Sequence, residues 1–283
     1  MTVIIDGRQT AVTIKEEIRR EVDEWRVKGV IPKLVAILVG DDKSAEAYAQ
    51  AKGRVCDAVG IAFEIMKLPA ATEEFKLLSL IDSLNCDQSV HGIIVELPLP
   101  EHIDRVRVFE RLAPNKDVDG IHPLNRGYLM AGVEGLFPAT PCSCIELLER
   151  WGIEICGKHA VVIGRGETVG KPLIFMLLQK NATVTVCHTK TADLAKQTRQ
   201  ADILITAAGK AGLITGDMVR PGVVVIDAGI NYGPNGICGD VDFNSVKPLA
   251  SAITPVPGGV GSLTTVLLLK NLLRAVGRQQ NKK

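Results

Sequence analysis

The sequence is poor in aromatic residues, in net charge and in long apolar runs. Aromatic side chains make up 4% of its 283 residues, which leaves few platforms on which nucleic-acid bases stack. The formal net charge of +1 provides no field that gathers nucleic acid or holds an anionic membrane. No apolar run approaches the roughly 18–20 residues that span a bilayer. We therefore expect neither nucleic acid nor a membrane among its partners.

Cysteine is present, but without the spacing of a disulfide framework or a zinc site. The seven cysteines are odd in number and irregularly spaced, and Cys142 and Cys144 are closer together than the pairs in zinc knuckles. The short apolar start, 3–5, meets an acid at Asp6, which is unlike a secretory signal. We predict reduced thiols, no metal site and a cytoplasmic location.

Strands alternate with helices in the first half of the chain. Apolar periodicity predicts helices over 13–28 and 72–85. A further helix is predicted over 44–59, and strands are predicted over 34–39, 61–67 and 92–95. Because parallel strands need crossover connections, this alternation predicts a parallel α/β sheet. Residues 111–127 are polar and rich in turn formers, which predicts a loop of the kind that carries function.

A second alternating run fills the other half. It predicts a helix over 140–151 and strands over 159–163, 183–187, 202–205 and 223–226. The last helix, about 262–275, is apolar over much of its surface, so we expect it to pack back on the first domain. The predicted fold has two α/β domains. They are an N-terminal parallel domain of 1–139 plus 259–283 and a C-terminal Rossmann-type domain of 140–258.

The first strand of the second run ends in a glycine-rich turn, Gly164 to Gly170. Free backbone N–H groups and the helix dipole favour phosphate at such a turn, and glycine lets the backbone approach it closely. The spacing G-x-G-x-x-x-G is one residue longer than the usual dinucleotide fingerprint, so a plain structural turn fits it as well. A Walker phosphate loop is excluded, because it needs glycine at Arg165 and a hydroxyl residue at Pro172.

The end of the next strand distinguishes between cofactors. NAD-binding sheets usually carry an acid there, which binds the ribose hydroxyls, whereas this chain reads His188-Thr189-Lys190. Thr189 and Lys190 suit a 2′-phosphate, and Arg165 adds a cation at the same end of the sheet. The pattern favours NADP over NAD. The alternative is that Arg165 and Lys190 are solvated surface charges.

Four segments outside the nucleotide turn carry groups that suit a ligand. Tyr48 and Lys52 are four residues apart on one helix face. Glu96-Leu97-Pro98 ends a parallel strand, where α/β sheets bind ligands. Asp119 lies in the polar loop, and Pro257-Gly258-Gly259 forms a turn before the last helix.

Taken in order, these segments resemble the bifunctional methylenetetrahydrofolate dehydrogenase/methenyltetrahydrofolate cyclohydrolase family. The matching stretches are 48–52, 92–100, 114–127, 138–141, 157–172, 201–231, 239–243 and 253–261. The resemblance implies a folate cleft between two α/β domains, a homodimer, tetrahydrofolate one-carbon derivatives as substrates and NADP as hydride acceptor. The N-terminal domain is then the catalytic, folate-binding one.

The resemblance also implies site residues. Lys52 is the central catalytic residue, Tyr48 stacks near the pterin, Asp119 hydrogen-bonds the pterin ring, and position 96 tunes Lys52. Further substrate contacts are implied at Leu97, Pro98, Pro257, Gly258 and Gly259. Cofactor contacts are implied at Gly164, Arg165, Gly166, Val169, Gly170, His188, Thr189, Lys190, Ala208, Gly209 and Ile230.

The residue types suit the two reactions of that family. Hydride loss from 5,10-methylenetetrahydrofolate needs positioning against the nicotinamide more than it needs a base. Hydrolysis of the methenyl product to 10-formyltetrahydrofolate needs an activated water and proton movement, which suits a lysine. One site therefore serves both steps.

Two departures from the family pattern bear on activity. The family usually has Gln where this chain has Glu96, and a carboxylate beside Lys52 favours the charged ammonium, a poorer base. The hypothesis is an enzyme that is mainly a dehydrogenase; the alternative is that Glu96 carries a proton and behaves like Gln. The family usually has Ser at the position of Gly166, a hydroxyl that assists the 2′-phosphate, so NAD stays a possible cofactor.

Two other classes of protein compete with this interpretation. A dehydrogenase of amino or hydroxy acids shares the two-domain plan, but it needs a catalytic His or Arg that the first domain does not place well. A non-catalytic nucleotide-binding subunit is the other, and the retention of Tyr48, Lys52 and Asp119 argues against it.

Overall fold

The computed structural model describes residues 1–233 and 236–280, and they form two compact units. The C-terminal unit comprises residues 1–12 and 138–267. The N-terminal unit comprises residues 13–137 and the described residues from 268 onward. Among the described residues, no helix has both the length and the apolar character needed to cross a membrane.

Helices and strands alternate through most of the described chain. The helices are α1 (Gly7–Val27), α2 (Lys43–Val59), α3 (Glu74–Cys86), α4 (Arg105–Arg111), α5 (Pro123–Ala131), α6 (Ala139–Arg150), α7 (Gly170–Gln179), α8 (Leu194–Thr198), α9 (Phe243–Val246) and α10 (Thr264–Gln280). The strands are β1 (Val3–Ile4), β2 (Lys33–Val39), β3 (Ala62–Leu68), β4 (Gly92–Val95), β5 (His159–Ile163), β6 (Thr183–Cys187), β7 (Ile203–Thr206), β8 (Val224–Asp227), β9 (Asn231–Gly233), β10 (Gly236–Cys238) and β11 (Ala252–Ile253). Short 3-10 turns lie at Gly216–Met218 and Val260–Ser262.

The N-terminal unit is built on a three-stranded parallel sheet in the order β3-β2-β4. The central strand β2 is buried from Leu34 to Val39, because its continuous apolar run is covered on both faces. The core beneath it includes Val35, Ile37, Leu77, Ile81, Ile93 and Val108. A parallel bridge joins Ile93 to Asp117, so the polar loop runs beside β4 toward the carboxyl edge of the sheet.

The C-terminal unit is built on a six-stranded parallel sheet in the order β1-β11-β8-β7-β5-β6. Strand β6 lies on one side of β5 in the sheet, and β7, the next strand along the chain, lies on the other side of β5. Doubly wound sheets bind nucleotides at such a switch point, outside the carboxyl ends of the strands. The core includes Val161, Ile163, Leu204, Val225 and Ile253.

The predicted domain limits differ from the units in the structure at 1–12, 138–139 and 259–267. Residues 1–12, predicted in the first domain, belong to the C-terminal unit because β1 pairs with β11 (Val3 with Ala252). Strands of two residues carry no periodicity, so this pairing was invisible in the sequence. The last helix does pack on the N-terminal unit as predicted. Asn271 donates to the carbonyl oxygens of Val118 and Phe137, at 2.8 and 2.6 Å.

The predicted loop 111–127 is shorter than expected. Helix α5 begins at Pro123, because proline suits a first helical position and the side chain of His122 accepts from the N–H of Leu124 at 2.9 Å. The polar composition of 111–127 had predicted a loop at the start of this helix. The remaining loop carries the aspartates discussed below.

Candidate active site and nucleotide site

Helix α2 carries the lysine and tyrosine of the candidate active site. It begins after Asp42, whose carboxylate accepts from the N–H of Ala45 at 2.8 Å, a standard N-cap. Tyr48 and Lys52 follow, one turn apart on this helix. The Tyr48 side chain is largely exposed, whereas Lys52 is half-buried, with 19% of its side chain accessible. A buried ammonium needs a partner.

That partner is Glu96, directly after β4. The Lys52 Nζ donates to both carboxylate oxygens of Glu96, at 2.7 and 2.8 Å. The Glu96 side chain is only 8% accessible, and its backbone N–H donates to the carbonyl of Ile37 in the central strand. A buried, doubly hydrogen-bonded ion pair of this kind is costly to break from one side, because the remaining charge is left uncompensated.

Asp119 is the third charged group of the site. Lys52 and Glu96 both act electrostatically on its half-buried carboxyl. Burial raises the pKa of Asp119 from 3.8 to about 6; the Lys52 ammonium opposes the rise, and the carboxylates of Asp117 and Glu96 add to it. Asp119 thus changes charge near neutral pH, which is typical of residues at functional sites.

Asp117 organises the loop that presents Asp119. Its buried carboxylate accepts from the N–H groups of Ile121 and His122, at 3.1 and 2.8 Å, and from Asn125 Nδ2 at 2.8 Å. Burial raises the pKa of Asp117, and these hydrogen bonds oppose that rise. Asp117 is therefore saturated by its own loop, which leaves Asp119 as the aspartate available to a ligand.

Two further residues hold this loop, and the sequence analysis missed both. Lys116 is 3% exposed, and its Nζ donates to the carbonyl oxygens of Leu84 and Asp87, at 2.8 and 2.6 Å. It thereby caps the end of α3. Asn271, whose bonds to the loop were given above, is 1% exposed. The position of Lys116 next to the Asp117–Asp119 motif could have identified it from the sequence. No local sequence pattern points to Asn271.

The glycine turn of the C-terminal unit lies at the switch point, between β5 and α7. Gly164 has a φ of +111°, and a Cβ there would overlap the carbonyl oxygen of Ala207. A Cβ on Gly170 would overlap the carbonyl oxygen of Gly164. Both glycines are thus required by close backbone approach. Val169 precedes α7 as its N-cap, whereas Gly166 faces open space.

Exposed cations line the same edge of the sheet. Strands β5 and β6 are paired in parallel, with Ile163 opposite Cys187, so the segments that follow them leave side by side. Arg165 follows the first strand, and Thr189 and Lys190 follow the second; all three are exposed. No carboxylate follows β6 before Asp193.

His188 shapes the turn after β6 rather than standing free. Its backbone N–H donates to Thr191 Oγ1 at 2.8 Å, and its Nδ1 accepts from the N–H of Lys190 at 3.1 Å. The imidazole therefore serves the local turn.

The other predicted cofactor residues follow β7 and β8. Ala208 and Gly209 are exposed, but their N–H groups donate to the carboxylate of Asp240, at 2.6 and 3.2 Å. They are therefore unavailable as phosphate donors. Ile230 follows β8 and is 54% exposed.

The remaining predicted substrate residues fall in different units. Leu97 and Pro98 are exposed directly after Glu96 and are joined by a cis peptide bond, in the N-terminal unit with Lys52 and Asp119. Pro257, Gly258 and Gly259 belong to the C-terminal unit. The Gly258 carbonyl there accepts from the N–H of Gly7 at 2.8 Å.

Both halves of the chain match a known family. Residues 5–119 match the tetrahydrofolate dehydrogenase/cyclohydrolase catalytic domain. Residues 138–280 match the tetrahydrofolate dehydrogenase/cyclohydrolase NAD(P)-binding domain. The second match confirms the predicted dinucleotide-binding domain.

Similar proteins match along nearly their whole length. The bifunctional protein FolD of Pelotomaculum thermopropionicum is 58% identical over 283 residues, which cover 100% of both chains. The crystal structure of the Campylobacter jejuni bifunctional enzyme FolD, a methylenetetrahydrofolate dehydrogenase/cyclohydrolase, matches with a TM-score of 0.96 and 44% identity over 100% of both chains. Trypanosoma brucei N5,N10-methylenetetrahydrofolate dehydrogenase-cyclohydrolase, complexed with NADP cofactor and inhibitor, matches with a TM-score of 0.90 and 39% identity over 98% of both chains.

These matches confirm the two-domain α/β fold class and the family resemblance that the motifs suggested. They also agree with the site geometry, in which a half-buried lysine and a glycine turn occupy the two units. The chain belongs to the tetrahydrofolate dehydrogenase/cyclohydrolase family.

Proposed function

We propose that this chain oxidises 5,10-methylenetetrahydrofolate with NADP and hydrolyses the methenyl product to 10-formyltetrahydrofolate. The observation that carries the proposal is the Lys52–Glu96 pair beside Asp119, in a chain that matches bifunctional relatives from end to end. NADP, when bound, supplies the hydride acceptor. The glycine turn fits its pyrophosphate, and Arg165 with Lys190 fits its 2′-phosphate.

The oxidation step depends on placement. The methylene carbon loses a hydride, and the positive charge left behind is shared by two folate nitrogens, so no base is required. Tyr48, exposed one turn before Lys52, offers a flat face on which the pterin rests. Asp119, ionised above about pH 6, accepts hydrogen bonds from the pterin N–H groups. Holding the substrate in one orientation is the main contribution of these residues.

The hydrolysis step needs proton transfer. Water adds to the methenyl carbon, one carbon–nitrogen bond breaks, and one proton is released overall. Lys52 is the group that moves the proton between water and the departing nitrogen. The Lys52 Nζ lies 2.7 Å from a carboxylate oxygen of Glu96, so the proton transfer takes place beside this ion pair.

The direct test is an assay of the purified chain with 5,10-methylenetetrahydrofolate and either NADP or NAD. Reduced nucleotide and methenyl absorbance are followed together. We expect reduction with both readouts rising, and a lower KM for NADP than for NAD. Reduction of neither nucleotide would instead favour a non-catalytic nucleotide-binding subunit.

A second candidate function is a dehydrogenase with little cyclohydrolase activity, and the contact between Lys52 and Glu96 makes it testable. If the pair slows hydrolysis, Glu96→Gln raises the cyclohydrolase turnover relative to the dehydrogenase turnover. The matched control is Glu64→Gln, which removes a surface carboxylate paired with Lys33 at 2.7 Å in the same unit. An unchanged ratio in Glu96→Gln would refute this second candidate.

We propose further that the chain acts as a cytoplasmic homodimer without a nucleic-acid partner. The near-neutral charge and the low aromatic content support the last point. Sedimentation at several concentrations tests the dimer. A single species of 30.4 kDa would refute it.

A further inference from the structure

Three successive backbone N–H groups after β7 converge on one buried carboxylate. Asp240 Oδ2 accepts from Ala208 at 2.6 Å and from Gly209 at 3.2 Å, and Oδ1 accepts from Lys210 at 2.9 Å. Consecutive N–H groups that face one point form a nest, which is a natural anion site. Here the anion is a side chain of the same protein, with no accessible surface.

Asp240 is itself held from behind. Its Oδ1 also accepts from Asn231 Nδ2 at 2.9 Å, and its own N–H donates to Asp227 Oδ1 at 3.1 Å. Asp227 ends β8, and the same oxygen accepts from Thr206 Oγ1 at the end of β7, at 2.9 Å. The carboxylate is thus tied to the carboxyl ends of two sheet strands. Charge-assisted bonds of this kind are stronger and more directional than neutral ones.

The loop held by Asp240 lies against the glycine turn. The N–H of Ala207 donates to the carbonyl of Ile163 at 2.7 Å, one residue before the turn begins. A Cβ on Gly164 would overlap the Ala207 carbonyl oxygen, so the two backbones are in direct contact. A displacement of residues 207–210 would therefore reshape the turn at Gly164.

We propose that Asp240 is a positioning residue for the dinucleotide, and that it acts in two ways through residues 207–210. It fixes the loop that supports the Gly164 turn. It also fills a nest that would otherwise compete for the cofactor phosphates, so the turn is the phosphate site left open. The identity of the ligand as NADP rests on the proposed function; the positioning role rests on the hydrogen bonds alone.

The test compares Asp240→Asn with a matched control, Asp202→Asn. Asparagine keeps the shape of Asp240 but turns one acceptor into a donor facing N–H groups. Asp202 also accepts a backbone bond in this unit, from His159 at 2.8 Å, but at the opposite end of the sheet. NADP affinity is measured by direct titration, with the KM for NADP, the KM for folate, cyclohydrolase turnover and the melting temperature as further readouts.

The expected result is a rise of about tenfold in the Kd and KM for NADP in Asp240→Asn, with folate KM and cyclohydrolase turnover within about twofold of wild type. Asp202→Asn leaves NADP affinity unchanged. An unchanged Kd in Asp240→Asn would overturn the proposal. So would an equal fall of both activities that follows the melting temperature, because that is the signature of a merely structural role.

Asn231→Ala provides a second variant should Asp240→Asn fold poorly. It removes one support of Asp240 and keeps the three loop bonds, so we expect a smaller rise in the Kd for NADP, about threefold. Unchanged affinity there would count against the proposal. Wild-type chain that binds NADP without turnover would refute the proposed function alone. Wild-type chain that binds neither NADP nor NAD would refute both.

Discussion

Replacing Asp119 with asparagine is predicted to stabilise the protein at neutral pH and to weaken its activity. The substitution keeps the shape of the side chain and removes a charge that burial disfavours. Neither oxygen of Asp119 has a hydrogen-bond partner among the described residues, in contrast with the saturated Asp117. A charged, half-buried carboxylate without hydrogen-bond partners from the protein is typical of a site that binds a ligand.

The magnitude follows from the rise of the Asp119 pKa from 3.8 to about 6 on folding. A rise of this size corresponds to a cost of about 3 kcal/mol when the group is ionised in both states. Above pH 6 the whole cost is present. As pH falls from about 6 toward 3.8, the folded chain binds the proton before the unfolded chain does, so the cost shrinks, and it disappears below pH 3.8.

The assay is urea unfolding of wild type and Asp119→Asn at pH 7.5 and at pH 4, followed by circular dichroism. We expect the variant to be more stable by up to about 3 kcal/mol at pH 7.5 and to lie within about 0.5 kcal/mol of wild type at pH 4. Asp23→Asn, which removes an exposed carboxylate on α1, controls for net charge. Equal stability at pH 7.5, or a gain at pH 4 as large as that at pH 7.5, would refute the reasoning.

Three further predictions concern the two units separately. Arg165→Ala should raise the KM for NADP about tenfold and leave the KM for NAD unchanged, because only the 2′-phosphate loses a partner; equal changes for both would refute the assignment. Gly166→Ser should act in the opposite direction, since a Cβ there meets open space and the hydroxyl adds a donor; a higher KM for NADP would contradict this. Lys116→Ala should lower the free energy of unfolding by about 2–4 kcal/mol in urea titrations, because two carbonyls lose their buried donor, whereas the exposed Lys67→Ala should change little.

Local patterns in the sequence predicted most of the helices and strands. Continuous apolar runs located β2 and β4, and the helix predicted over 44–59 corresponds to α2, on which Tyr48 and Lys52 lie one turn apart. These signals work because burial acts on residues close together in the chain. The place of Glu96 at a strand end also put it within reach of Lys52, as the resemblance implied.

Contacts between segments that are distant in the sequence could not be predicted from local patterns. The pairing of β1 with β11 joins segments about 250 residues apart, and it moved residues 1–12 into the other unit. Asn271 supports the Asp119 loop from the last helix. The sequence pattern of that helix showed only that its surface is apolar. Asp240 likewise has no motif of its own, because its role lies in three N–H groups some thirty residues earlier in the chain.

The central claim is that one lysine-bearing site performs hydrolysis by proton transfer and oxidation by placement. Measuring both turnovers on Lys52→Ala tests it most directly, with wild type assayed in parallel. The account predicts loss of cyclohydrolase turnover by about a hundredfold or more, with dehydrogenase turnover reduced far less. Cyclohydrolase turnover at the wild-type level in Lys52→Ala would contradict it.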